Sequence, residues 1–345
     1  LARSAMATLE GVGHLYGAIL ALRAWCYRNH LFAIYRAPCP VISVGNLTTG
    51  GTGKTPMVLW LARQIQQTGR RVAIVSRGYR QRSRSPITVV ADPFGIRTTP
   101  PLAADEAWLL ASALPGTTVL TGSNRPVLMR HAIERFQCDC ILMDDGFQRL
   151  DVRKDLDLVL LDAQRPFGNG RPFPGGLLRE MPSALSRCDA IVLTRADHPQ
   201  TTDETLVYLR HHFPDKPVMT AIHRPSGWIP LHTPAQPMPL HAMTEPVVAF
   251  CGIATPESFL RTLQSLDVTI VAFYPFPDHH FFSTEEIHQL MAKNAGARVL
   301  VCTEKDAVKL DPEKISWPIF ALRVEMSFQS DPEWLNKRIH ELNAN

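Results

Sequence analysis

The chain has 345 residues, enough for one large or two medium domains with real cores. Its formal net charge of +4 is too mild to point to nucleic acid, and 45% hydrophobic with 20% charged residues excludes a disordered chain. Seven scattered cysteines (26, 39, 138, 140, 188, 251, 302) show neither a metal spacing nor a disulfide framework, which suits a reducing compartment. The first distinctive element is the stretch 9–38, where an apolar run from Leu15 to Leu22 is bounded by His14 and Arg23. That run falls far short of the ~20 apolar residues a membrane span requires, and no small-residue cleavage site follows it as in a signal peptide. Tyr16, Trp25, Tyr27, Phe32 and Tyr35 interleave with Arg23, Arg28 and Arg36, a composition suited to a helix lying in a membrane interface. It equally suits a helix packed on the protein's own core, and composition leaves both readings open.

"VGNLTTGGTGKTP" (44–56) follows next. The phosphate-loop pattern is G-x-x-x-x-G-K-[ST], and Gly53, Lys54 and Thr55 fit its end while Thr48 stands in place of the first glycine. "CPVISVG" before it reads as a buried strand; after it Val58, Leu61, Ala62 and Ile65 recur at helical spacing, with Gly69 as a stop. Strand, glycine loop and helix together aim backbone N–H groups and a helix N-terminus at an anion. The predicted nucleotide loop is Thr48, Thr49, Gly50, Gly51, Thr52, Gly53, Lys54 and Thr55. Its glycines curl around phosphate oxygens, Lys54 reaches the β- and γ-phosphates, and the Thr55 hydroxyl meets Mg²⁺.

Further along, 71–76, 117–122, 138–145, 156–163 and 188–195 are strand-like apolar runs, and helical stretches near 104–113 and 125–135 separate some of them. This alternation predicts an α/β fold: a P-loop NTPase-like, mainly parallel sheet with helices on both faces. "CILMDDGFQ" (140–148) ends a strand in Asp144 and Asp145, a Walker B-like terminus that supplies a magnesium carboxylate. "LTRAD" (193–197) resembles the guanine-reading [NT]-K-x-D pattern, with arginine in the lysine position. Six prolines between 225 and 246 predict a linker, and 247–253, 269–276, 298–304 and 318–326 predict a smaller C-terminal α/β domain. The expected division is 1–36 membrane-associating helix, 37–224 P-loop core, 225–246 linker and 247–345 second domain.

"VGNLTTGGTGKTP", "SRGY" (76–79), "DDGFQ", "FGNGRPFPGGLLRE" (167–180), "DHHFF" (278–282) and "TEKDAVK" (303–309) occur in one order. In that combination the chain resembles the tetraacyldisaccharide 4′-kinases, the lipid A 4′-kinases of Gram-negative bacteria. The resemblance implies ATP-dependent phosphorylation, with Mg²⁺, of the 4′-hydroxyl of a tetraacylated glucosamine disaccharide 1-phosphate. It also implies work at the cytoplasmic face of the inner membrane, through the N-terminal helix, with no nucleic acid involved; no protein partner is evident. Carried over by position, Lys54, Asp105 and His279 are implied as catalytic, the last two acting together on the acceptor hydroxyl. Thr55, Asp144 and Asp145 are implied at the metal, and Arg77, Arg125, Gln148, Arg179 and Glu180 at nucleotide or substrate groups. Which of Asp144 and Asp145 meets the metal stays open, as does His279 against His280. "SRGYRQR" and "AADEA" lack glycines expected of the family, and "FPGG" has glycine where alanine is usual, so loop shapes are expected to differ. A membrane-associated switch-type ATPase or GTPase, of the partitioning or metallochaperone kind, is the alternative reading of the same loop.

Overall fold

The structure is a computed structural model that describes residues 2–232 and 237–344. The chain divides into two compact units, one formed by 1–223 with 326–345 and the other by 224–325.

The first unit opens with helix α1 (Ala2–Arg28), then alternates β1 (Val41–Asn46), α2 (Lys54–Gln67) and β2 (Val72–Ser76). A hairpin of β3 (Thr88–Asp92) and β4 (Gly95–Ile96) leads to α3 (Asp105–Ala113), β5 (Thr118–Thr121) and α4 (Arg125–Phe136). Strands β6 (Cys140–Asp144), β7 (Leu156–Asp162) and β8 (Ala190–Thr194) follow, then α5 (Pro199–His212) and β9 (Val218–Pro230). Across the sheet the order is β9-β8-β7-β1-β6-β2-β5-β3-β4, parallel from β9 to β5 and antiparallel at β3 and β4.

The central strands are apolar at nearly every position because both faces are covered. On β6, Cys140 and Leu142 enter the core beneath α2 and α3, while Ile141 and Met143 face α4. On β8, Ala190 and Val192 join the first core, and Ile191 and Leu193 pack with Leu209 of α5. These are the predicted strands of the mainly parallel sheet, with ends displaced by one or two residues.

The second unit adds β10 (Val247–Cys251), α6 (Pro256–Gln264), β11 (Ile270–Pro275) and α7 (Thr284–Ala292). Then come β12 (Val299–Thr303), the single turn α8 (Glu304–Ala307) and β13 (Ile319–Phe328). Its four strands are parallel in the order β11-β10-β12-β13. The last helix, α9 (Glu333–Ala344), belongs to the first unit, where Leu335 and Ile339 are buried in the α2–α3 core.

The division therefore differs from the sequence expectation at both ends of the second domain. Residues 326–345 return to the first unit, because an amphipathic final helix completes a core built by elements much earlier in the chain. The predicted linker 225–246 is also largely folded. Strand β9 runs on through Pro225, and Trp228 is fully buried, exchanging backbone bonds of 2.9 and 2.7 Å with Met238. Proline excludes helix more firmly than it excludes extended chain. Positions 233–236 of that stretch, with Pro234, lie outside the described residues.

Among the described residues no helix is long and apolar enough to cross a membrane. On α1, Val12, Leu15, Ile19 and Leu22 recur on one face and are exposed, Leu15 by 64% and Leu22 by 61%. Another face is seated on the first unit. A Cβ at Gly13 would lie 3.0 Å from the Pro172 carbonyl oxygen, Tyr16 meets Phe173 edge-on, and Arg23 donates to the Gln148 carbonyl at 3.4 Å.

Candidate active site

The phosphate loop joins β1 to α2, with Lys54 and Thr55 in the first helical turn. Gly53 has φ 82°, in the left-handed region where glycine costs least, and a Cβ there would overlap the His223 ring. Neighbours hold the loop through its backbone groups. Thr194 Oγ donates to the Thr52 carbonyl at 2.9 Å, Arg195 donates to the Gly51 carbonyl at 2.9 Å, and Thr49 N–H donates to Leu177 at 2.7 Å. Arg195 is itself fixed by Asp162 at 2.6 Å. "LTRAD" is thus a brace on the phosphate loop: its arginine is bound to a loop carbonyl and a strand-end carboxylate.

The carboxylate pair lies beside the loop because β6 pairs directly with β1, in register at Val44 and Asp144. The two acids differ sharply. Asp145, at φ 57°, meets Lys54 at 3.6 Å and receives the Arg179 guanidinium at 2.8 Å on each oxygen. Burial opposes its ionisation, but the Lys54 and Arg179 charges outweigh burial and hold the carboxyl below its ordinary value. Asp144 is buried and has no such partner among the described residues. Burial, then the Glu106 and Asp145 charges, push it up to about 7 against the pull of Lys54 and Arg125.

Those oxygen donors fit Mg²⁺, a hard cation that takes one or two carboxylates and keeps its phosphate ligands. The excess negative charge at Asp144 is what a divalent cation would offset, and Thr55 stands in the first turn of α2. Asp145 is thus tied to the lysine and arginine, and Asp144 is not.

The other predicted residues divide into free groups and anchored ones. Arg125 is buried, donates to the Gly122 carbonyl at 2.6 Å, and leaves its Nε without a partner. Burial and then Arg149 lower its pKa to about 10. Arg77 is exposed just beyond β2 and has no ion-pair partner among the described residues. Gln148 donates to the Asn46 carbonyl at 3.0 Å, tying the "DDGFQ" turn to the end of β1. Glu180 is engaged by Arg187 at 2.8 Å, and that guanidinium stacks on Phe147 at 4.6 Å, so the glutamate holds a turn together. Asp105 is the first residue of α3, after Ala104 at the cap position.

In the second unit His279 has φ 62°, with Nε2 at 3.3 Å from Lys305 and 3.9 Å from Asp278. His280 stacks on Phe276 at 4.7 Å and meets Glu286 at 3.2 Å, an engaged aromatic-cluster residue. Sequence reasoning missed Glu106, whose signal was its place beside Asp105 in the first turn of α3. It also missed His223, which no local pattern marks.

His223 carries a testable consequence. Its Nε2 is sealed from solvent without a hydrogen-bond partner, facing Gly53. Burial, then Arg195, lower its pKa from 6.5 to about 4. The unfolded chain takes up this proton near pH 6.5 and the folded chain only near 4, so stability is lost as pH falls through that window. We expect His223→Asn to flatten the decline in urea midpoint between pH 6.5 and 4. Identical slopes for both proteins would refute the assignment.

A glycine loop, its lysine and a strand-end carboxylate pair on the neighbouring parallel strand define a P-loop nucleotide-binding protein of the phosphoryl-transfer class. The family model for tetraacyldisaccharide-1-P 4′-kinase matches residues 5–343. The chain belongs to that family. It is 41% identical to a tetraacyldisaccharide 4′-kinase of Syntrophus aciditrophicus over 92% of this chain and 88% of the relative. It is 39% identical to one of Desulfotalea psychrophila over 92% of this chain and 91% of the relative. Among solved structures it resembles LpxK from Aquifex aeolicus in complex with ATP, at 29% identity and a TM-score of 0.82, covering 98% of this chain and 99% of that one.

Proposed function

We propose that this chain transfers the γ-phosphoryl group of ATP to the 4′-hydroxyl of a tetraacylated glucosamine disaccharide 1-phosphate, giving lipid IVA. The observation that carries the reading is the Lys54–Asp145–Arg179 cluster set beside the unpaired Asp144 at the mouth of the phosphate loop. Phosphoryl transfer asks for in-line positioning and charge stabilisation. The loop N–H groups and Lys54 hold the β- and γ-phosphates, while Thr55 and Asp144 would hold Mg²⁺, which would supply further positive charge against the phosphates. Arg125 and Arg77 supply further positive charge for nucleotide or substrate phosphates. Asp105 and His279 serve the acceptor hydroxyl, which must give up a proton during transfer.

A lipid acceptor is reached from a membrane surface. The exposed Val12, Leu15, Ile19 and Leu22 face of α1 supports peripheral attachment, at the cytoplasmic face of the inner membrane.

Purified protein given labelled ATP should place phosphate on the lipid disaccharide monophosphate in detergent. ATP hydrolysis indifferent to lipid, or a strong preference for GTP, would overturn the kinase reading. Changing Leu15, Ile19 and Leu22 together to serine should lower the membrane-bound fraction and lipid phosphorylation while ATP binding and thermal midpoint hold, since all three side chains are exposed. Undiminished membrane binding would place the anchor elsewhere.

A further inference from the structure

The "TEKDAVK" segment (303–309) is far from the phosphate loop in sequence, and the proposed chemistry gives it no role. Within the second unit it contains a fully buried ion pair: Lys309 Nζ lies 2.9 Å from Asp306 Oδ1, with side-chain exposures of 1% and 0%. Taking both charges out of water costs about what their attraction returns, so such a pair is poor evidence of a stabilising role. Its hydrogen bonds indicate a different one. The other Asp306 oxygen accepts from the Gly252 N–H at 3.0 Å and the Thr303 hydroxyl at 2.7 Å. The carbonyl of the same glycine then accepts the His279 N–H at 3.0 Å.

We infer that Asp306, neutralised by Lys309, is a positioning residue that acts on the acceptor chemistry through Gly252 and His279. This rests on the proposal that His279 serves the acceptor hydroxyl. His279 occupies left-handed backbone at φ 62°, where a non-glycine residue needs surrounding structure to hold it. The fixed Gly252 carbonyl is the hydrogen-bonded support of that residue. The space around Gly252 is tight enough to keep the relay in register. A Cβ there would lie 3.1 Å from the Pro277 carbonyl oxygen, 3.2 Å from His280 Cβ and 3.3 Å from Asp306 Oδ1.

The same segment reaches the imidazole from a second direction. Lys305, next to Asp306 in α8, places its ammonium 3.3 Å from His279 Nε2 and 3.7 Å from Asp278. An ammonium only donates, so in this contact Nε2 is the acceptor and a neutral ring carries its proton on Nδ1. Lys309 also sits 5.7 Å over the Phe282 ring, the buried aromatic of "DHHFF". The two motifs thus form one assembly, in which "TEKDAVK" holds the backbone and orients the ring of the histidine that "DHHFF" supplies.

The test is a double-mutant cycle in the full-length protein, read as kcat and KM for ATP with thermal midpoints alongside. Asp306→Asn should lower kcat roughly tenfold or more with little change in KM for ATP, because the nucleotide site is untouched. In a His279→Ala background the same change should cost less than about twofold, since a residue acting through His279 has nothing left to position. Losses that multiply, or an Asp306→Asn protein with wild-type kcat, would overturn the inference. Should Asp306→Asn fail to fold, Gly252→Ala takes its place in the cycle. Its Cβ presses on the relay, Asp306 Oδ1 included, by a few tenths of an ångström without removing either charge of the ion pair; the same two outcomes decide. A His279→Ala protein with wild-type kcat would sink the underlying assignment of the histidine itself. That result is distinct from one in which His279 matters and Asp306 does not.

Discussion

Lys54→Ala should lower phosphoryl transfer by roughly two decades or more, a loss of a few kcal/mol of transition-state stabilisation, while the protein stays folded. Lys54 stands in the first turn of α2, where its ammonium is 3.6 Å from Asp145 and 14% exposed. It adds nothing to the apolar cores, so alanine opens no cavity among them. Asp145 keeps its 2.8 Å partner Arg179, so the substitution strands no buried carboxylate. The lost quantity is charge aimed at the β- and γ-phosphates, which the helix N-terminus replaces only in part. Turnover on the lipid acceptor and the thermal midpoint measure the two halves of the expectation. Near wild-type turnover would remove the phosphate-loop reading altogether.

Asp144→Asn should separate activity from stability, moving them in opposite directions. Activity falls by a comparable two decades or so, because an amide is a poor Mg²⁺ ligand, and raised Mg²⁺ restores part of it. Stability at neutral pH holds or rises. In the unfolded chain the carboxyl ionises near 3.8, whereas burial, Glu106 and Asp145 push it in the folded protein up to about 7. The folded state therefore retains a proton the unfolded state has lost, and wild-type stability declines as pH rises from 3.8 to about 7. Asparagine removes that decline. Urea unfolding at pH 5 and pH 8 with Mg²⁺ absent should show it. A variant that loses both activity and neutral-pH stability would mean Asp144 is a structural acid.

Much of this was present in the chain of residues, because its causes are local. An apolar strand, a loop of three glycines and a helix opened by Lys54, Thr55 and Pro56 form an anion-binding turn wherever they fold. Strands such as 140–144 and 190–194 are legible because parallel sheets covered on both faces are apolar at every step. The "DD" ending of β6 marked a carboxylate site by type. The short β3–β4 hairpin and helices α5, α6, α7 and α9 were not assigned, since brief or polar elements take their definition from what they pack against.

What the sequence determined by itself, then, is the identity of the chemical groups and the local backbone that presents them. Tertiary structure alone decided which group meets which. Asp144 and Asp145 are neighbours of one type, yet the φ of 57° at Asp145 turns it to Lys54 and Arg179 while Asp144 is left in a negative field. Arg195 became a brace because β7 and β8 bring Asp162 to its guanidinium from 33 residues away. His279 and His280 parted in the same way, one toward Lys305 and the other into a stack on Phe276. Ion pairing and desolvation depend on distances of a few ångströms between residues remote along the chain, and only folding sets those distances.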